Sequence, residues 1–377
     1  MTNPLLQLTQ AGQSIWLDYL HREILENGTL KRLIEQDGVR GLTSNPSIFQ
    51  KAIGEGGAYD DRIRAALKVG ITDRGGLYER LAIADIQAAA DQFRPVYDRL
   101  NGADGYVSLE VSPYLAMDTQ ATIGEARRLW RAVDRPNLMI KIPGTKPGVP
   151  AIRQMIAEAV NINVTLLFGL DAYQAVSQAH LEGLEALKAA GGDVSRVHGV
   201  ASFFVSRIDT QIDNEIDRRL EAGDDPDADT LKGLRGKVAI ANAKLAYQLY
   251  LAMLATPRWM ALAQVGAAPQ RLLWASTGVK DPAYSDVLYA ESLIGRDTID
   301  TLPIKTLDAF RDHGRVSPSL TRNVEEAHAV LASAEQCGLG LQGVTEALIV
   351  NGVRLFNEAF DALLQGVATK RDRLATE

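Results

Sequence analysis

Short β-rich apolar runs alternating with longer helical patterns predict an α/β fold, a closed (β/α)8 TIM barrel forming one domain over residues 1–377. Eight such runs can be counted. Helical stretches such as GGLYERLAIADIQAAADQFRPVYDRL separate them, with apolar residues three and four apart. The chain length also suits an elaborated barrel, and eightfold alternation favours closure over an open doubly wound sheet.

The first strand candidate, SIWLDYL (14–20), carries Asp18 on the face of Trp16. VRGLTS (39–44) carries Thr43 near its end, sharing a face with Asn45. GYVSLEVS (105–112) offers Ser108 and Glu110, and NLMIKIP (137–143) offers Met139 and Lys141. NINVTLLF (161–168) puts Asn161, Asn163 and Thr165 on one face, and GVASFFVS (199–206) does the same with Ser202 and Phe204. RLLWAST (271–277) pairs Trp274 with Ser276, and YAESLIG (289–295) is the eighth run. Successive strand residues face opposite sides, so these parities predict one inward polar constellation near the strand C-termini, where barrel active sites lie. The segment GDDPDAD (223–229) reads as an acidic surface loop. Beyond about residue 300, TLDAFRDHG and two helical patterns near 322–336 and 342–365 read as extra helices packed on the barrel.

Composition narrows the function. Apolar residues make up 46% of the chain, enough for a large core, and no run of about 18 apolar residues suggests a membrane span. Lys and Arg number 40 against 47 Asp and Glu, a net charge of −7 without a basic cluster, which argues against nucleic acid or anionic membranes as partners. A single cysteine, Cys337, leaves no intrachain disulfide and no four-cysteine metal site, and with no signal-peptide pattern a reducing, cytoplasmic setting is expected. The five histidines, His198 and His313 among them, lack metal-binding spacing. No Walker loop or GxGxxG fingerprint is present, so neither metal nor nucleotide cofactor is expected. The terminal helices leave a monomer and a homodimer both open.

Lys141 is the most informative residue in this frame. It sits between Ile140 and Ile142 in an apolar strand, where an unpaired ammonium is costly and desolvation favours the neutral, nucleophilic amine. The alternative is a lysine that snorkels to solvent or pairs with a carboxylate. Asp18 and Glu110 would supply two carboxylates with separate acid–base tasks, or else a structural ion-pair network around one lysine. Arg207 and Lys280, just beyond the sixth and seventh strands, stand where late barrel loops often hold phosphate; surface salt bridges are the alternative.

GLTSNPSIF, VSLEVSP, LMIKIPGT, INVTLLF and ASFFVSRID, in this order and spacing, resemble the transaldolase family over nearly the whole chain. RLLWASTGVKDPAYSD and DTIDTLP…TLDAFRDHG resemble its longer bacterial members and the transaldolase part of fusions with glucose-phosphate isomerase. The resemblance implies a cofactor-free barrel of the class I aldolase type, acting through a Schiff base in the pentose phosphate pathway. Its sugar-phosphate reaction would move a dihydroxyacetone unit from sedoheptulose 7-phosphate to glyceraldehyde 3-phosphate, giving erythrose 4-phosphate and fructose 6-phosphate. Lys141 matches the imine-forming lysine, Glu110 the acid/base acting through a water oriented by Thr165, and Asp18 the acid handling the substrate hydroxyl proton. Asn45, Asn163 and Ser202 match residues that hold the three-carbon unit; Phe204 lines the pocket and Arg207 matches a phosphate-binding arginine. A second arginine common after the seventh strand is replaced here by Ser276 and Lys280, with Lys280 the expected substitute. Two rivals are a fructose-6-phosphate aldolase, against which Glu110 speaks, and a non-catalytic sugar-phosphate-binding barrel.

Overall fold

The computed structural model describes residues 3–54 and 56–376. Its centre is a closed barrel of eight parallel strands in sequential order. These are β1 (Gln13–Leu17), β2 (Val39–Leu42), β3 (Tyr106–Glu110), β4 (Leu138–Pro143), β5 (Ile162–Leu167), β6 (Gly199–Phe204), β7 (Arg271–Ala275) and β8 (Thr298–Leu302), with β8 pairing back onto β1. Apart from the half-buried Arg40 and Arg271, every strand residue is buried. Both faces are covered, one by the barrel interior and one by helices, which is why LMIKIP and GVASFF carry so few polar residues.

The N-terminal end of the barrel is plugged. The Trp16 indole crosses β2 at Gly41, where any Cβ would collide with the ring, so glycine is required there by close approach. Trp16 Nε1 donates to Asp104 Oδ1 at 2.8 Å, and Tyr106 packs against the indole with ring centres 6.4 Å apart. Arg271 stands 3.6 Å from the Asp104 carboxylate, completing a polar floor beneath the aromatic layer. Access to the interior is therefore from the strand C-termini.

Two sequence expectations need correction. The eighth strand is Thr298–Leu302, whereas Leu288–Ser292, overlapping the expected run 289–295, forms a short helix. Ile299 and Leu302 are buried in the one segment and Tyr289 and Ala290 in the other, and a short apolar run does not distinguish strand from helix by period. Trp274 does not share the inward face. Register pairs it with Phe203 and Asp300, while Leu273 pairs with inward Ser202. Phe203 meets Trp274 edge-on, and also Tyr173 of the helix Leu170–Ala189, which marks this as the outer face. Ser276 lies just past the strand with φ of +57°, a left-handed residue that breaks the parity.

The acidic segment 223–229 is a loop as far as Asp227. Arg219 fixes Asp225 at 2.7 Å, and the helix Ala228–Leu234 follows. Past β8 come the helices Ile304–His313, Val324–Gln336 and Leu341–Ala375. Val324–Gln336 packs on the helix Val238–Leu254. The 35-residue Leu341–Ala375 lies over the C-terminal strand ends, burying Thr345, Leu348, Gly352, Phe356 and Leu363 on one stripe.

Candidate active site

Strand register sets Glu110, Lys141 and Asn163 side by side on β3, β4 and β5. Lys141 Nζ stands 3.4 Å from Glu110 Oε2 and donates to the backbone carbonyl of Ser44 at 3.1 Å. Both side chains are buried, 6% and 4% exposed, so this is a desolvated pair and not a lysine reaching solvent. Burial pushes the Glu110 carboxyl up to about 6; Lys141 pulls it down and Asp18 adds a smaller upward push. A carboxyl in that range exchanges its proton readily near neutral pH. Both Glu110 oxygens and Thr165 Oγ1 are buried without a hydrogen-bond partner among the described residues. Glu110 and Asn45 also line a cavity of about 180 Å³ walled by Phe49, Tyr78, Val111 and Phe360.

Asp18 extends the β1 ladder by one residue, its N–H donating to Leu302 O at 2.9 Å. Its carboxylate accepts from Thr43 Oγ1 at 2.8 Å, and Thr43 is in turn 2.8 Å from Thr301 Oγ1. Burial raises the Asp18 pKa, while Lys141, Thr43, Arg207 and Lys280 act in the opposite sense, in that order. Burial thus dominates the proton affinity of this carboxylate, and three cations around one mouth only partly offset it.

The amide of Asn163 is fixed at both ends. Its Nδ2 donates to Ser108 Oγ at 3.0 Å and its Oδ1 accepts from Ser202 Oγ at 2.7 Å, so three strands share one clamp. Asn45 Oδ1 accepts from Ile48 N at 2.9 Å and caps the helix Pro46–Gly54 that leaves β2. A cap residue held this way is a fixed polar group at the site's edge.

The remaining residues form one rim. Phe204 packs on Phe168 with ring centres 5.1 Å apart, and the Arg207 guanidinium lies 5.2 Å from the centre of the Phe204 ring. Arg207 is half-buried in the first turn of the helix Ser206–Ala222. Ser276 Oγ is 3.0 Å from Ser206 Oγ, which ties the ends of β6 and β7. Lys280 is exposed on the loop after β7. That loop is anchored on either side of it, by Thr277 to Asp300 at 2.9 Å and by Asp281 to Arg235 at 2.9 Å.

Sequence reasoning missed four contributors. Ser44 binds Lys141 through its backbone carbonyl, which no side-chain pattern reports, although TSNPS contains it. Thr301 supports Thr43 from a strand placed elsewhere by sequence, and Ser206 partners Ser276. Phe356 faces Lys141 from the terminal helix, a contact that no local motif signals. Among the described residues, no group of three His, Cys, Asp or Glu side chains is arranged to hold a metal ion.

The geometry gathers a buried amine, two carboxylates of raised pKa, a clamp of neutral donors and acceptors, and cations at the rim. Such a set can form an imine and move protons around it. A sequence model of the family described as Transaldolase/Fructose-6-phosphate aldolase matches residues 15–367. "Transaldolase" of Thermobifida fusca is 49% identical over 370 residues, 98% of each chain. "Transaldolase 2" of Nostoc punctiforme is 48% identical over 373 residues, again 98% of each, and "Transaldolase" of Trichodesmium erythraeum 46% over 377 residues, 99% of each. The chain belongs to the transaldolase/fructose-6-phosphate aldolase family and groups with its transaldolases.

Proposed function

We propose that this enzyme transfers a dihydroxyacetone unit from sedoheptulose 7-phosphate to glyceraldehyde 3-phosphate through an imine on Lys141. The observation that carries the reading is the 3.4 Å approach of the buried Lys141 amine to Glu110. Lys141 Nζ adds to the ketone carbon. Glu110, relayed by a water held at Thr165, returns a proton to the carbinol oxygen, which leaves as water. Asp18 then takes the proton of the β-hydroxyl, the carbon–carbon bond breaks, and its electron pair flows into the iminium to leave an enamine. The departing aldehyde carries the phosphate. The acceptor aldehyde enters, the enamine carbon bonds to it, and Asp18 returns the proton to the new alkoxide.

Asn45, Asn163 and Ser202 hold the hydroxyls of the three-carbon unit, and Phe204 shapes the pocket. Arg207, with Lys280 and Ser276, binds the phosphate common to both aldehydes, a remote handle that aligns the reacting carbon. Guanidinium on an aromatic face suits this task, since the ring fixes its plane without competing for its donors.

Product analysis tests transfer against simple cleavage. With fructose 6-phosphate as donor, sedoheptulose 7-phosphate should accumulate when erythrose 4-phosphate is supplied, with little free dihydroxyacetone in its absence. Rapid release of dihydroxyacetone without acceptor would instead identify an aldolase.

A further inference from the structure

Lys141 Nζ has polar neighbours on one side, Glu110 and the Ser44 carbonyl. On another side, 6.0 Å from Nζ, lies the centre of the Phe356 ring. Phe356 is 4% exposed and sits on Leu341–Ala375, far from Lys141 in sequence. Its position is fixed by several close approaches of that helix. One turn earlier, Gly352 faces Leu166, and a Cβ there would stand 2.9 Å from Leu166 Cδ2. Leu166 follows Thr165 and has φ of +59°, at the irregularity in the β5–β6 register. Thr345 packs against Gly169, where a Cβ would stand 3.1 Å from the Thr345 hydroxyl. One turn later, Phe360 meets Tyr78 and Tyr114 edge-on, with ring centres 5.4 and 5.5 Å away. Nearer the C-terminus, Lys370 donates to Gly56 O at 2.6 Å. A helix held at so many points delivers the ring to the amine as a rigid wall.

The chemistry of that wall differs from the rest of the site. A phenyl ring offers water no acceptor or donor, while its face tolerates a cation such as an iminium nitrogen. We propose that Phe356 is a specificity-determining cover that keeps bulk water from protonating the enamine on Lys141, so that the three-carbon unit passes to an aldehyde instead of being released. The proposal rests on the imine reading of Lys141. Release needs a proton on the enamine carbon, then addition of water to the imine carbon, then breakage of the carbon–nitrogen bond. Free dihydroxyacetone and the lysine amine result, with no change of oxidation state. Addition of water to the imine is shared with discharge of the ketose product, so the step that separates release from transfer is protonation of the enamine. Excluding bulk water slows that protonation and leaves the enamine available to the acceptor.

The test compares the unsubstituted enzyme with Phe356→Leu and Phe356→Ala, using fructose 6-phosphate with and without erythrose 4-phosphate. Three quantities are read: dihydroxyacetone released per transfer product, borohydride label on Lys141, and Tm. The release ratio should rise several-fold in Phe356→Leu and about ten-fold or more in Phe356→Ala, with Lys141 still labelled. A folded Phe356→Leu enzyme with an unchanged ratio and a retained label overturns the proposal, even if Phe356→Ala does not fold. An unsubstituted enzyme without label on Lys141 removes the imine reading and this proposal together.

Discussion

A lysine amine and a glutamate carboxyl share one dry place, and each limits what the other can do. Burial raises the proton affinity of Glu110, and the neighbouring Lys141 only partly offsets it. Glu110 therefore protonates as pH falls through about 6, and steps that need its carboxylate slow there. Glu110→Gln should remove that acid limb from the kcat/KM profile. It should also slow imine formation by about 10²–10⁴-fold, the usual contribution of a general acid–base group. Binding of sugar phosphate should change little; stopped-flow trapping against equilibrium binding separates the two, and equal losses would contradict the role. Lys141 was legible because lysine is out of place among isoleucines, and Glu110 because it shares parity with Ser108. The Ser44 carbonyl was not, since every residue has one and only the fold aims it.

At the scale of elements, the strands whose polar residues stand near their C-terminal ends were readable from parity. Seven of the eight strand runs were recognised for that reason, with ends differing by a few residues; β1, for example, stops at Leu17, before Asp18. β8 was missed because TIDTL reads as half polar, while its Asp300 is buried on the outer face under a hydrogen bond from Thr277. Burial holds the Asp300 carboxyl up at about 7, above its ordinary 3.8. The folded chain then binds this proton more tightly than the unfolded chain. Stability is full below about pH 4, falls as pH rises between those values, and levels off above about 7. Asp300→Asn keeps the oxygen that accepts from Thr277 and removes the charge. It should leave stability near pH 4 almost unchanged and raise it at pH 8 by on the order of 2–4 kcal/mol, measured by denaturant unfolding. An equal shift at both pH values would mean that the carboxyl does not carry the effect.

The whole molecule closes a barrel at one end with aromatic side chains and covers part of the other with its last helix. The plug of Trp16, Tyr106 and Asp104 makes the interior a one-ended cup. Polar residues at and just beyond the strand C-termini, Thr301 of β8 among them, face its open side, so the site depends on closure of the whole sheet. Helical periodicity gave the existence of the terminal helix but not its seat. Gly352 against Leu166 is a contact between distant segments that neither sequence announces. The same holds for the rim, where Arg207 stacks on Phe204 while Lys280 stays exposed.

Every step assigned to this fold passes through one bond, between Lys141 Nζ and a substrate carbon. Borohydride reduction in the presence of fructose 6-phosphate, followed by digestion and mass spectrometry, measures that bond directly. A three-carbon or hexose-phosphate adduct on Lys141 is expected, together with loss of both label and transfer in a folded Lys141→Ala protein. A label on any other lysine, or an unlabelled enzyme that still turns over, would contradict the account.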